Sequence, residues 1–459
     1  MWGLSRRSFL AASAALVAAP AVVRAQGAAD ADVAIIGAGA AGIAAARRIA
    51  AANRRYVLFE ASNRVGGRCF TDSLIFGVPL DVGAHWIHRP DTGSMTGSAA
   101  TTGLDIYSVP QGQTVRVGPR NARDSELESF LTSLVRARRA IVEAGRGRTD
   151  VAAARALPND LGEWRATAEF LLGPFAFSKD LAAVSVVDAA RIPERENDAF
   201  CRQGYGAILM SLAAGLPIRL STPVTRVEWD RSGVDVATAK GSVRVRAVIV
   251  TASTNLLTSG KIVFKPELPK RHLDAAAALT LGSYDHIALE MPGNPISLQR
   301  DELVFEKSSS RQTAALLANV SGTSLHMVEV AGDFCRDLSA KGKGAMTEFT
   351  RDWLASLFGN NVKSKIRRSY ATQWNDEPFV LGAMSVAAPG GADARKILAE
   401  PIAGRVWLAG EAVHETQWAT VNGAWETGQR AAEAALRQIG ALKTPEEDKP
   451  AKRSKQRRR

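Results

Sequence analysis

The run Asp32-Val33-Ala34-Ile35-Ile36-Gly37-Ala38-Gly39-Ala40-Ala41-Gly42 joins an apolar strand to a glycine-rich turn, and a helical stretch to about Ala52 follows it. Tyr56-Val57-Leu58-Phe59-Glu60 then makes a second strand. Each glycine has a physical task. Gly37 permits the tight turn, Gly39 lets a pyrophosphate approach the backbone, and Gly42 allows the helix to pack closely on the strand. The free N–H groups at the helix start, around Ala41, face that pyrophosphate, and the helix dipole favours its charge. Glu60 closes the second strand 23 positions after Gly37, where its carboxylate can accept from a ribose hydroxyl. Strand, turn, helix, strand and acid in this register predict an α/β, Rossmann-like dinucleotide-binding domain.

Composition permits such a fold and removes others. The chain has 459 residues, 46% apolar and 23% charged, which excludes a disordered or collagen-like polymer and leaves room for two or three domains. Three scattered cysteines, Cys69, Cys201 and Cys335, do not make a disulfide scaffold or a four-cysteine zinc site. The net charge of +12 is concentrated at the ends. Residues 1–26 hold +3 and residues from Thr444 onward +4, leaving +5 for the body between them. A mildly basic body gives no reason to expect nucleic acid. There is no internal repeat, no expected transmembrane span and no expected metal site, since the only sequence-close histidines are His85 and His88.

The ends read as an address and a tail. Ser5-Arg6-Arg7-Ser8-Phe9-Leu10 is a twin-arginine pattern before an apolar run from Ala11 to Val23, and Val23-Arg24-Ala25 suits a signal peptidase. Residues 1–26 are therefore expected to be a cleaved signal that exports a folded protein by the twin-arginine pathway to a bacterial periplasm. Residues 444–459 end in a basic cluster without apolar periodicity and read as a disordered tail.

Four further stretches carry a family likeness: Glu60-Ala61-Ser62-Asn63-Arg64-Val65-Gly66-Gly67-Arg68; Asp81-Val82-Gly83-Ala84-His85-Trp86-Ile87-His88; Thr222-Pro223-Val224-Thr225; and Ala409-Gly410-Glu411 with Thr420-Val421-Asn422-Gly423-Ala424. Over roughly residues 30–440 the chain resembles the flavin amine oxidase superfamily, the monoamine and polyamine oxidase type. The resemblance implies FAD as cofactor. Gly67 and Arg68 would lie on its phosphate side, and Gly83, Ala84, His85 and Trp86 beside the isoalloxazine ring. Val224 would contact the adenine through its backbone. Gly410 and Glu411 would lie by the ribityl–phosphate chain, and Thr420 and Val421 at a helix start facing the flavin pyrimidine. Ala383 falls where monoamine oxidases have the cysteine that bonds FAD, so the flavin is expected to be non-covalent.

The motif order implies a discontinuous architecture. Residues 30–90, 200–265 and 370–440 would form the FAD-binding domain, and 91–199 with 266–369 an α+β substrate domain. Asp124–Ala144 and Leu161–Leu172 read as amphipathic helices, Ser283–Glu290 as a strand and Ala345–Leu357 as a helix.

The implied chemistry is oxidation of the carbon next to a small-molecule amine, a polyamine or another primary or secondary amine, to an imine. His286 stands where the family has a lysine that holds a water at the flavin and assists reoxidation by O2. A histidine lacks that permanent charge, which makes an acceptor other than O2, such as a periplasmic cytochrome, an alternative. Met384 replaces one ring of the aromatic pair that sandwiches the amine. The other ring position falls on Thr420, or on Trp418 if the loop is one residue short. His88 matches a residue at the substrate entrance or is a surface histidine. Two other readings remain open: a flavin desaturase or dehydrogenase of a hydrophobic molecule on the same fold, and a non-catalytic flavoprotein that binds a partner.

Overall fold

In the computed structural model, which describes residues 29–442 apart from 92, 100–101, 111 and 194–196, the strand Ala31–Ile36 lies between two parallel neighbours. Tyr56–Phe59 pairs on one side and Gly241–Val250 on the other. Ile218–Arg219 extends this parallel block beyond Tyr56–Phe59, and Val406–Leu408 extends it beyond Gly241–Val250. Val33, Ala34 and Ile35 are fully buried, as befits a parallel sheet covered on both faces. Gly241–Val250 is ten residues long. Its first half pairs antiparallel with Val234–Thr238, which leads on to Val224–Trp229 and Val263–Lys265.

The helices Ala40–Ala51 and Val421–Gln438 pack side by side against this sheet. Glycine allows their closeness: a Cβ on Gly428 would lie 2.0 Å from the Ala41 carbonyl oxygen.

A second sheet has the order Arg368–Ala371, Tyr284–Glu290, Leu325–Ala331, Ala315–Ala318, Glu302–Glu306, Gly112–Val117 and Arg120–Asn121. The chain thus crosses between the sheets repeatedly. Arg368–Ala371 belongs to the second sheet, so the crossing into the last dinucleotide segment falls after it, a residue or two later than the expected boundary at 370.

The expected helix over Asp124–Ala144 is present as Asp124–Gly145, with Phe130, Ala137 and Ile141 turned inward. The expected helix over Leu161–Leu172 is instead three short pieces: a 3-10 turn at Gly162–Trp164, an α-helix at Arg165–Phe170 and a π-helical turn at Leu171–Phe175. Pro174 lacks the N–H that a regular ladder would need there. The strand Tyr284–Glu290 and the helix Lys343–Phe358 match expectation within two residues. All three cysteines are free and buried. No helix among the described residues is long and apolar enough to cross a membrane. The twin-arginine segment and the basic tail lie outside the described residues.

Candidate active site

A cavity of about 1080 Å³ runs from the glycine turn to the helix Asp124–Gly145. Its dinucleotide end is built as the turn requires. Gly37 has φ +101°, and a Cβ there would meet Thr251 Oγ1 at 2.4 Å. On Gly42 a Cβ would lie 1.8 Å from the Gly37 carbonyl oxygen. Gly39 differs: its Cβ would meet only the Gly66 carbonyl oxygen, at 3.9 Å, so it faces the open cavity. The helix starting at Ala40 has no side-chain cap, which leaves its first N–H groups for an anionic ligand.

Glu60 lines the same wall. Its Oε2 accepts from the Ala38 N–H at 2.7 Å and its Oε1 from the Ser62 N–H at 2.8 Å. The Ser62 hydroxyl also donates to Oε1 at 2.8 Å, so it is Oε2 that keeps a further lone pair for a ribose hydroxyl. The Gly66 N–H donates to the Ala38 carbonyl at 2.9 Å, which staples the second glycine loop, with Gly67, to the first. Val224, Gly410, Thr420 and Val421 also line the cavity. Thr420 caps the long C-terminal helix, its hydroxyl accepting from the Gly423 N–H at 2.9 Å. That helix therefore directs its N-terminus at the cavity.

Arg68 and Glu411 are joined to each other. Arg68 donates to Glu411 Oε1 at 2.8 Å and to the Ala383 carbonyl. Glu411 also accepts from the Ser385 hydroxyl at 2.7 Å and the Ala419 N–H at 2.9 Å. Burial raises its pKa, but Arg68 and Arg395 outweigh that and hold it below the usual carboxylate range. Below it Arg395, fully buried, donates to the equally buried Asp188 at 2.8 Å. Gly83 closes the far side of Arg68, where a Cβ would lie 1.9 Å from the Arg68 carbonyl oxygen. The cradle fits FAD: open space over Gly39, free helix N–H groups, and Glu60 within the same wall.

Beyond the dinucleotide end, Ala84, His85, Trp86, His88, His286, Ala383 and Met384 line the cavity together. His88 is held by Asp198, with Nδ1 at 2.8 Å from Oδ1. Trp418 is a correction. It is fully buried, packs against Phe177 at 5.1 Å between ring centroids and lies under the Arg395 guanidinium at 4.4 Å. It does not line the cavity. The Glu411 bond to the Ala419 N–H, with Ala419 at φ +59°, turns the chain so that Ala419 and Thr420 reach the wall while Trp418 points into the core.

His286 is held in a polar cluster that sequence reading missed. It pairs in register with Glu329 across the strands Tyr284–Glu290 and Leu325–Ala331. Glu329 Oε1 lies 3.0 Å from His85 Nε2, and the Tyr284 hydroxyl donates to Glu329 Oε2. The rings of His85 and His286 stand edge to face at 5.1 Å. Burial and the adjacent His85 push the His286 imidazole down to about 4, against an upward pull from Glu329 and a hydrogen bond to the Asp81 backbone. His286 is thus neutral at pH 7, with Nδ1 unpartnered among the described residues. The expectation that only His85 and His88 could stand together is also corrected: donor atoms of His85, His286 and Glu329 all lie within 4.8 Å of one another. Two histidines and a carboxylate form a donor set that suits a divalent transition metal. A lone acid in the apolar strand Leu325–Ala331 was the available signal.

Similarity to known proteins agrees with this construction. Residues 35–97 match the NAD(P)-binding Rossmann-like domain family, and residues 160–436 match the family described as flavin containing amine oxidoreductase. The chain is 25% identical over 433 residues to lysine-specific histone demethylase 2 of Homo sapiens, covering 87% of this chain but 53% of the relative. It therefore spans about half the length of that relative. It is 24% identical over 463 residues to polyamine oxidase 4 of Oryza sativa subsp. japonica, covering 89% of each. Among solved structures, putrescine oxidase bound to putrescine superposes with a TM-score of 0.74 at 20% identity, over 89% of this chain and 99% of that one. Cyclohexylamine oxidase from Brevibacterium oxydans gives 0.74 at 21%, over 90% and 100%. With the flavin-shaped cradle, the two-sheet fold and a match over more than half its length, the chain belongs to the flavin containing amine oxidoreductase family.

Proposed function

We propose that this protein oxidises an amine to an imine with non-covalently held FAD, passing the electrons on to O2 or to another acceptor. The observation that carries the reading is continuity. One cavity holds the dinucleotide cradle at Gly39 and Glu60 and runs on past His85 and His286 into an apolar chamber. When bound, FAD supplies the two-electron acceptor for the C–H next to nitrogen. The chain supplies the rest. Gly39 and the helix N–H groups would hold the pyrophosphate, and Glu60 the ribose. Thr420 and Val421 bring positive helix-dipole potential to the opposite end. Neutral His286 lines the cavity wall without placing a positive charge there, and Met384 adds a soft apolar surface. Ala383 at the wall offers no side-chain nucleophile, in keeping with a flavin that acid or heat releases.

Anaerobic mixing with a panel of amines tests this. Bleaching of the flavin absorbance is expected, and a flavin reduced only by dithionite would reject amine oxidation. The apolar chamber keeps one competitor alive, a dehydrogenase of a hydrophobic molecule on the same fold. Bleaching by a non-amine alone would establish it.

We also propose twin-arginine export to the periplasm, resting on Arg6 and Arg7. Replacing both with lysine should retain the protein, signal uncut, in the cytoplasm.

A further inference from the structure

The strand Leu325–Ala331 carries one acid, Glu329, among residues that are all buried. Its two oxygens are treated unequally. The Tyr284 hydroxyl donates to Oε2, while Oε1 is buried without a hydrogen-bond partner among the described residues. Two ring nitrogens of neighbouring side chains share that condition, His85 Nε2 and His286 Nδ1. A buried polar atom without a partner is unfavourable, and three adjoining residues that each leave one point to a common missing partner.

The spacing says what kind. His85 Nε2 stands 3.0 Å from Glu329 Oε1 without the alignment of a hydrogen bond. Bonds of about 2.0–2.2 Å to one metal ion set adjacent ligands at roughly this separation. His286 completes the group, for one donor atom from each of the three residues lies within 4.8 Å of the others. The strand register that sets His286 opposite Glu329 keeps it there. Supports of the sort that orient metal ligands are also present. Tyr284 fixes the carboxylate through its second oxygen, and a hydrogen bond to the Asp81 backbone anchors the His286 ring. Two imidazole nitrogens and one carboxylate oxygen suit zinc and its first-row neighbours, whereas magnesium and calcium take oxygen ligands.

We propose that His85, His286 and Glu329 bind a divalent first-row transition-metal ion, for which Zn2+ is the probe, with one coordination position open to the cavity. The two histidines line the cavity and Glu329 does not, so the acid grips the ion from behind. Three protein ligands and an open fourth position distinguish such a site from a closed, structural one. Water or another small electron-pair donor in the cavity fills the fourth position.

The test titrates Zn2+ into untagged, FAD-loaded protein stripped with a chelator, followed by calorimetry at neutral pH. One equivalent is expected to bind, and excess Mg2+ should not displace it. His286→Ala and Glu329→Gln should each weaken binding at least about a hundredfold, and Tyr284→Phe about tenfold, as loss of a supporting residue does. His88→Ala, at a cavity histidine outside the group, should leave the affinity unchanged. On the unaltered protein, anomalous scattering at the zinc edge should place the ion about 2.0–2.2 Å from both imidazoles and the carboxylate, whatever the variants do to folding. No binding, an anomalous peak elsewhere, or an affinity that His286→Ala and Glu329→Gln leave intact would mean an adventitious ion only and overturn the proposal.

Discussion

Glu329 is buried directly behind His85, its carboxylate 3.0 Å from the imidazole, so that the histidine reaches the cavity and the acid does not. An acid inside a strand whose seven residues are all buried is costly unless it is paired and hydrogen-bonded. Here His85 pairs with it and Tyr284 bonds it. Glu329→Leu should leave His85 and the Tyr284 hydroxyl without their partner, and lose about 3–5 kcal/mol of stability. Glu329→Gln, which keeps an acceptor for Tyr284, should lose less. Urea unfolding of the three proteins measures the order, and equal midpoints would show the pair to be energetically idle.

Proton uptake on unfolding follows from the two most strongly shifted histidines. His286 and His326 are both pushed down to about 4 from an ordinary 6.5, in each case chiefly by burial. Between those values the unfolded chain binds protons that the folded chain refuses. Stability is therefore fully present above pH 6.5 and falls as the pH drops toward 4, by up to about 1.4 kcal/mol per pH unit for each histidine. In calorimetry near the middle of that window, His286→Ala should take up about one proton fewer on unfolding. An unchanged uptake would place His286 in water in the native state.

The second and third glycines of the fingerprint should fail differently. Gly39 faces open cavity, so Gly39→Leu should yield folded protein without flavin. Gly42 faces the Gly37 carbonyl at 1.8 Å for an added Cβ, so even Gly42→Ala should force strand and helix apart and lower Tm. Absorbance at flavin wavelengths and thermal melting separate the outcomes. A fully flavinylated Gly39→Leu would move the pyrophosphate elsewhere.

Reoxidation should respond to charge at position 286 and not to pH. Since the native imidazole is already neutral, the wild-type rate with O2 should carry no His286 titration between pH 6 and 9. His286→Lys should raise that rate by adding a cation at the cavity wall, and His286→Ala should lower it while FAD stays bound. Stopped-flow reoxidation decides, and three superimposable traces would remove His286 from the reaction.

The first strand, glycine turn and helix were legible because their signals are local: Gly37, Gly39 and Gly42 act within six residues. Glu60, Arg68, Glu411 and Thr420 were placed at the cavity by pattern as well. What stayed hidden depends on register and on distant pairing. Nothing near Glu329 in the sequence says that it will stand opposite His286. Nothing near Arg395 says that it will find Asp188, 207 positions away. Trp418 was misjudged for a related reason: spacing along a loop does not reveal which side of the chain a backbone turn presents. The loss of charge at position 286 was legible as a histidine in place of a lysine, but its burial beside His85 in the strand pair was not.

The interleaving of the two sheets bears on how the protein is made. A ribosome that has released residues 31–59 has supplied two adjoining strands but neither of the neighbours that come from residues 241–250 and 406–408. The helix that packs beside Ala40–Ala51 and points its start at the cavity follows later still, at residues 421–438. Closing that sheet joins segments separated by hundreds of residues, a topology that folds slowly. The nascent chain must wait, its flavin grip incomplete, until residues 421–438 have been synthesised. Apolar strands left unpaired during that wait are surfaces on which partly made chains can associate.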